Sequence, residues 1–366
     1  MELNLRREQL LTPLQAVIGV VERRQTMPIL SNVLIEVTDG RITLTASDLT
    51  VELRASGEAD TEANGRFTVS ARKLMDICRS LDEGAPIQIQ VEGDKATLRS
   101  GRSRFTLATL PAEEYPLMDF EETGLDVQLS QPQFKRLLEK THFAMAVQDI
   151  RAFLNGMLVE VDGERLRCVA TDGHRLALCE QTLETPHAER HQSILPRKAV
   201  LELARTVTQD DTPVHLRLGK QQARIEVGER SLTTKLINST YPDYQRVIPR
   251  DSDKTVHAPT EELKQTLSRA SILSNEKYRG IRLRLSPGQL TAIANNPEQE
   301  QAEDVMAVDY VGKELEIGFN VNYLLDALQA IDQDQVEIHL SDPNSSVLIQ
   351  PEGDGTSLYV VMPMRL

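Results

Sequence analysis

Apolar positions along this chain follow two periods, and the order in which the periods appear is itself repeated. From Arg72 to Leu81 the residues Leu74, Ile77, Cys78 and Leu81 fall at i, i+3, i+4 and i+7, one stripe of an amphipathic helix. The same spacing predicts helices where Phe134, Leu137, Leu138 and Thr141 align and where Val200, Leu203, Ala204 and Val207 align. Further helices are expected around Leu263 and from Val321 to Ile331. Between them run segments with period-two alternation or β-branched enrichment: Arg41 to Ala46, Ile87 to Val91, Ala96 to Ser100, Arg165 to Ala170, His215 to Leu218, Ala223 to Val227, Gln335 to Leu340 and Val347 to Gln350. These predict antiparallel strands joined by short turns.

Three landmarks recur in the same order at a spacing of about 125 residues. The first is a helical stretch leading into an apolar strand: Leu10 to Val37, Phe134 to Val161, Leu263 to Leu285. The second opens an amphipathic helix, at Ala71-Arg72-Lys73-Leu74, Pro196-Arg197-Lys198-Ala199 and Asn320-Val321-Asn322-Tyr323. The third closes each copy with a strand: Ser103 to Leu110 before Tyr115-Pro116, Ser231 to Ile237 before Tyr241-Pro242, Leu358 to Met362 before Pro363. The period is longer than a solenoid's, so each copy should be a domain with its own core. The pattern predicts an α+β fold of three tandem domains, 1–124, 125–252 and 253–366, each with two helices on one face of antiparallel sheets of roughly eight strands.

Composition narrows the class. Of 366 residues, 40% are hydrophobic and 26% charged, as in a soluble globular protein, and no apolar run approaches the roughly 18 residues that span a bilayer. The opening MELNLRREQLL lacks the apolar core of a secretory signal, so a cytoplasmic location is expected. Cys78, Cys168 and Cys179 are odd in number and lack CxxC spacing, against both a disulfide framework and a zinc site. P-loop, GxGxxG, HExxH and GxSxG motifs are missing, which favours a protein that is not an enzyme.

The net charge of −14 speaks against a nucleic-acid partner unless the positive charge is gathered in one place. Helix faces suggest that it is. Arg72 and Arg79 lie opposite one apolar stripe, Lys135, Arg136 and Lys140 opposite a second, Arg197, Lys198 and Arg205 opposite a third. The surplus acid then falls in strands and loops such as Glu58 to Glu62, Asp119 to Glu122, Asp210-Asp211 and Glu298 to Asp304. With a Debye length of about 10 Å at 0.1 M salt, a basic surface can hold a phosphate backbone despite acid on the far side. An arc of three copies also ends in two unlike edges, which close into a ring head to tail if the rotation allows.

The stretches QTMPILSNVL, ARKLMDICRSL, GRSRFTLATLPAEEYP, FLNGML, VATDGHRLAL, LPRKAVLEL, YPDYQRVIP, ILSNEKYRG, ANNPEQEQAE, EIGFNVNYLLD and YVVMPMRL, spread over the whole chain and in register, resemble the bacterial sliding clamps, the beta subunits of DNA polymerase III. The resemblance implies that this chain forms half of a closed ring, a head-to-tail homodimer whose helices line a hole for duplex DNA. It implies no cofactor, metal or catalytic residue, and polymerase subunits and a clamp loader as partners.

Carried over position by position, the resemblance implies DNA contacts at Arg24, Arg72, Gln148, Ala152 and Phe153, to which the basic cap adds Arg197 and Lys198. The aromatic doublet usual in relatives reads Ala152-Phe153 here, and the frequent His before Gln148 is Val147. A groove for a short apolar peptide is implied at Leu154, Thr171, Gly173, His174, Arg175, Leu176, Pro242, Arg246, Val247, Ser346, Val360, Met362, Pro363 and Met364, with Asn344 where relatives often carry an apolar residue. The ring contact is implied at Phe105 and Leu107 against Ile272 and Leu273, flanked by Lys73, Arg102 and Arg104 against Glu298, Glu300 and Glu303. Two other readings stand beside this one. Thr171-Asp172-Gly173-His174 could orient a general base beside Cys168 or Cys179 as nucleophile, although a hairpin turn explains the same residues. A scaffold that encloses nothing would show no salt-dependent association with DNA.

Overall fold

The structure is a computed structural model that describes residues 1–22, 27–59, 63–120 and 124–365. The first third carries β1 (Glu2–Arg6), α1 (Arg7–Val17), β2 (Asn32–Thr38), β3 (Arg41–Ser47), β4 (Val51–Glu58), β5 (Gly65–Ser70), α2 (Ala71–Ser80), β6 (Pro86–Glu92), β7 (Lys95–Ser100) and β8 (Ser103–Ala108). The second carries β9 (Leu125–Ser130), α3 (Gln131–Glu139), β10 (Gly156–Thr171), β11 (Arg175–Pro196), α4 (Arg197–Thr206), β12 (Pro213–Leu218), β13 (Gln222–Val227) and β14 (Arg230–Lys235). The third carries β15 (Lys254–Pro259), α5 (Thr260–Ser271), β16 (Gly280–Ser286), β17 (Gln289–Asn295), β18 (Gln301–Ala307), β19 (Leu315–Asn320), α6 (Val321–Gln329), β20 (Gln335–Leu340), β21 (Val347–Pro351) and β22 (Ser357–Val361).

Two helices recur in each third, in the same positions relative to the strands. The middle third departs from the expected strand count. Its β10 and β11 are long partners that stay paired from Gly156–Pro196 to Thr171–Leu176, with register shifts between Val161 and Arg165. The stretch from Gln181 to Gln192 escapes a reading by period because it is mostly exposed, so no apolar face marks the strand.

By its contacts the chain divides into two compact units, Met1–Phe134 with Lys198–Leu236, and Lys135–Arg197 with Ile237–Leu366. Neither coincides with a sequence copy, and the sheets show why. In the first unit an eight-stranded sheet runs β5-β2-β3-β4-β14-β13-β12-β9, so strands of the first third continue directly into strands of the second. The seam is β4 against β14, antiparallel, with Leu53 opposite Leu232, both buried. In the second unit the order β10-β11-β22-β21-β20-β15 joins the second third to the third, with β11 antiparallel to β22 over Arg175–Cys179 and Ser357–Val361. Each unit also holds a four-stranded sheet, β1-β6-β7-β8 in the first and β18-β17-β16-β19 in the second.

The cores follow the sequence stripes. Leu74, Ile77 and Cys78 of α2 are buried, while Arg72, Asp76 and Arg79 are exposed. The basic faces of α3 and α4 require a correction. Lys140 is buried, and its ammonium bonds Asp332 and the Ala330 carbonyl. Arg136 reaches Asp354 and Thr356. On α4, Lys198 binds Asp48, Glu22 and the Val20 carbonyl, and Arg205 binds Glu202 and the carbonyls of Gln15 and Ala16. These cations are engaged at the joints between successive copies, because there the polar face of one helix packs against the next copy and its charges need partners.

Candidate partner groove and nucleic-acid loop

A cluster of apolar side chains underlies the implied peptide groove. Leu158, Val169, Leu176, Leu178, Ile194, Tyr241, Tyr244 and Val360 are packed together, with Phe153, Ile237, Ile248, Leu348 and Leu358 partly buried against them. The seam between β11 and β22 brings Leu176 opposite Val360, and Val360 also lies opposite Leu348 of β21. Leu154, Leu176 and Val360 are buried and make the floor. Pro242, Arg246, Val247 and Met362 are exposed around it, and Thr171, Gly173, Ser346, Pro363 and Met364 are half-buried. The chain beyond β22 is held by its backbone: the Met362 N–H donates to the His174 carbonyl at 2.9 Å and the Met364 N–H to that of Gly318 at 2.7 Å. Asn344 is exposed, in a turn where its N–H meets Asp342 at 2.8 Å.

The turn from β10 to β11 has the hairpin explanation. Asp172 Oδ1 accepts from the N–H of His174 (2.9 Å) and of Arg175 (3.1 Å), and Gly173 sits at φ +90°, a conformation that suits glycine. Arg175 is the keystone beneath. Its guanidinium meets Asp172 at 3.1 Å, Asp326 of α6 and the Phe143 carbonyl at 2.7 Å, and lies 4.6 Å from the Tyr323 ring centroid. His174 also stacks with Tyr323, with 6.3 Å between ring centroids. Cys168 and Cys179 face each other across β10 and β11, both buried. Burial pushes the Cys179 thiol up to about 11 and the Cys168 thiol well above its ordinary value, which removes the thiolate that a nucleophile requires.

Below the groove lies a buried carboxylate. Glu160 receives Arg167 at 3.0 Å, Arg190, Gln192 at 2.6 Å and the Tyr244 hydroxyl at 2.8 Å. Burial by itself would raise its pKa, but the bonds from Arg190, Tyr244, Gln192 and Arg167 together bring it below the ordinary glutamate value. The Tyr244 hydroxyl is pushed up to about 12, by burial first and then by Glu160.

The loop carrying Gln148, Ala152 and Phe153 is built around Asp149. Its carboxylate takes both Nε and Nη2 of Arg151 at 3.0 Å, and Asn155 clamps its backbone at 2.8 and 2.7 Å. The Arg151 side chain and N–H bring the Asp149 carboxyl down to about 2. Gln148 takes φ +57°, the left-handed region, and is exposed with Val147 and Ile150 beside it. Phe153 turns edge-on to Tyr241, with centroids 6.1 Å apart, so it belongs to the floor cluster as well as to the loop.

The other sequence-derived positions belong to separate elements. Arg24 lies outside the described residues. Arg72 is exposed, with one guanidinium N–H on the Val21 carbonyl at 2.8 Å. Arg197 is half-buried on the Met145 carbonyl at 3.1 Å. Burial pulls the Lys198 pKa down, yet its bonds to Asp48 and Glu22 more than offset this, and the charge is neutralised within the chain. Phe105 is half-buried and Leu107 buried in β8, while Lys73, Arg102, Arg104, Ile272, Glu298, Glu300 and Glu303 are exposed. Sequence reasoning missed Glu160, Tyr241, Tyr244, Tyr323 and Asp326. The Tyr241-Pro242 landmark and the i, i+3 spacing of Tyr323 and Asp326 were available signals, although neither names its distant partner.

Family models for the N-terminal, central and C-terminal domains of the DNA polymerase III beta subunit match residues 1–119, 128–243 and 245–365. The chain belongs to the DNA polymerase III beta subunit family. This beta subunit is 52% identical to the beta sliding clamp of Pseudomonas putida strain KT2440 and 48% identical to that of Escherichia coli strain K12, in each case over 100% of both chains. Its fold matches the Pseudomonas aeruginosa sliding clamp bound to griselimycin with a TM-score of 0.96 at 52% identity, covering 100% of both. The Caulobacter crescentus clamp with polyethylene glycol bound also gives 0.96, at 37% identity over 100% of this chain and 99% of that one. The function is that of a DNA sliding clamp, a processivity factor and not an enzyme.

Proposed function

We propose that this chain acts in the cytoplasm as a head-to-tail homodimer of clamp domains 1–124, 125–252 and 253–366, closed around duplex DNA and tethering polymerase subunits and a clamp loader through its apolar groove. One observation carries the reading. Both joints between copies are made by the same strand positions, β4 with β14 and β11 with β22. The third such pair, β18 and β8, is left at the edges of its four-stranded sheets. An unpaired edge invites another chain, and β18 of one protomer on β8 of its partner would rebuild the seam twice and leave neither edge open. The charges suit it: Lys73, Arg102 and Arg104 accompany β8, and Glu298, Glu300 and Glu303 accompany β18.

Arg72, Gln148, Ala152 and Phe153 are proposed for the DNA side, with Arg24 and Arg197, while the engaged Lys198 offers least. Contacts to phosphates and not base edges would let the ring slide, and retention would come from topology. Met362, Val247 and Pro242 around a floor of Leu154, Leu176 and Val360 suit a short apolar peptide, with methionine adapting to varied partners. Protein loaded by a clamp loader should stay on closed circular DNA through gel filtration and leave when the circle is cut once. Equal retention on linear and circular DNA would refute encirclement.

A further inference from the structure

The solvent face of the sheet β15-β20-β21 carries a side-chain cluster that no part of the clamp function uses. His257 of β15 lies directly opposite Glu337 of β20, and Glu352 follows β21 with its N–H on the Gln335 carbonyl at 3.1 Å. One ligand atom from each of His257, Glu337 and Glu352 can be chosen so that all lie within 4.8 Å of one another. The His257 ring is partly exposed, yet its Nδ1 is sealed from solvent and has no hydrogen-bond partner. It stands 3.3 Å from Glu352 Oε1 without hydrogen-bonding geometry. Two ligand atoms on a tetrahedral zinc, with bonds of about 2.0 to 2.1 Å, stand about 3.3 to 3.4 Å apart. The nitrogen and oxygen already sit at that edge length.

We propose that His257 Nδ1, Glu337 and Glu352 form a binding site for a zinc-class divalent cation, with a fourth position left to water. The backbone is fixed on both sides of the histidine, since His257 exchanges hydrogen bonds with Asp309 (3.0 and 2.9 Å) on one side and pairs with β20 on the other. Glu337 is oriented by Gln350 Nε2 at 2.9 Å and His339 Nε2 at 3.2 Å, both on Oε2, which leaves Oε1 free to take a cation. Such outer contacts set the angle of a ligating carboxylate. An open groove of about 530 Å³ runs along His257, Asp309 and Glu352 and so borders two of the three ligand residues. One imidazole with two carboxylates suits zinc, cobalt or nickel better than magnesium, which demands an octahedron of oxygens. A bound cation would tie β15, β20 and the segment after β21 together.

The full chain, stripped by chelator and dialysed, is titrated with zinc chloride by calorimetry and with cobalt chloride by visible absorption. Expected are one zinc per chain at this site, the intense cobalt bands of a four-coordinate centre, and affinity weakened roughly tenfold or more in Glu352→Gln. Glu352 is exposed, so this variant should fold, which circular dichroism checks; His257→Gln should weaken binding likewise. Equal zinc affinity in wild type and Glu352→Gln, no zinc uptake by wild type, or cobalt bands too weak for four-coordination would each overturn the proposal.

Discussion

Glu160 shows how much one side chain can hold in place. It is fully buried, and the four groups that bond it come from β10, β11 and the turn at Tyr244, so one carboxylate ties the long hairpin to the groove floor. Replacement by glutamine removes the charge and leaves Arg167, itself largely buried, with Glu180 as its close remaining partner. Glu160→Gln should destabilise the protein by about 1.5 to 3 kcal/mol at pH 7 in urea unfolding, the range for hydrogen bonds to a charged group. The pH dependence has a definite sign. The folded pKa lies below the unfolded value of about 4.3, so the contribution is present above that pH and fades as pH falls through the folded pKa. The gap between wild type and Glu160→Gln should therefore narrow as pH falls below about 4.3 and close once the pH has passed the folded pKa, and a gap that does not narrow would show that the charge is not the cause. None of this was visible in the sequence, where Glu160 occupies an ordinary polar alternation in a strand. Its partners Arg190 and Tyr244 lie 30 and 84 positions away, and spacing carries no information about which distant groups a fold brings together.

At the scale of elements, period reading succeeded where one face is apolar. The stripes of α2, α3 and α4, the alternation in β20, and the third landmark of each copy all describe elements that the structure contains. It failed for the distal part of β11, which is exposed on both faces, and for what covers the polar side of a helix. A stripe says which face is buried first, and nothing in it distinguishes a solvated cation from one paired across a joint. Lys140 and Arg72 make that difference measurable. Lys140→Ala should cost about 1 kcal/mol of stability, since the Ala330 carbonyl keeps only the 3.4 Å bond from the Tyr359 hydroxyl while the exposed Asp332 returns to water, with DNA affinity little changed. Arg72→Ala should leave the melting temperature nearly unchanged and reduce the slope of log affinity against log salt by about 1, as loss of one phosphate contact requires. The opposite pairing of effects in thermal melts and salt titrations would reverse these roles. Beyond β22, which ends at Val361, residues 362–365 lie outside the sheet, and the residues from 362 onward belong to the proposed groove. Deleting them should weaken an apolar clamp-binding peptide by about tenfold or more, about 1.4 kcal/mol, with little loss of stability. Unchanged peptide affinity by fluorescence anisotropy would remove the tail from the site.

For the whole molecule the decisive property is that each seam joins an edge strand of one copy's sheet to an edge strand of the next, so a chain of three copies has two internal seams and one pair of unmatched edges. The repeat was readable from three landmarks, and unlike edges followed from it. Which strands form them was not readable, because β4, β11 and β18 share no apolar pattern that sets them apart from their neighbours; the sheet order supplies that identity. Ile272, 75% exposed just beyond the end of α5, is one of several large apolar side chains the protomer shows to water, with Ile150 and Val311 more exposed still, and Leu273 is half-buried beside it. On the proposed closure Ile272 and Leu273 meet Phe105 and Leu107 of the partner's β8. Aromatic and aliphatic anchors of this kind carry most of an interface's energy, so replacing Ile272 and Leu273 together by alanine should raise the dimer dissociation constant by about a hundredfold or more, about 2.7 kcal/mol. The variant should then run as a monomer in light scattering at micromolar concentration, with near-native melting, since Ile272 is not part of either core. Charge reversal gives the independent check: Arg102→Glu with Arg104→Glu should dissociate the dimer, and adding Glu298→Lys, Glu300→Lys and Glu303→Lys should restore it in part, because on the proposed closure the two sets would face each other across one seam. A dimer of undiminished mass in the Ile272 and Leu273 variant, diluted through the same range, would place the closing contact on another surface and leave β8 and β18 as ordinary edges.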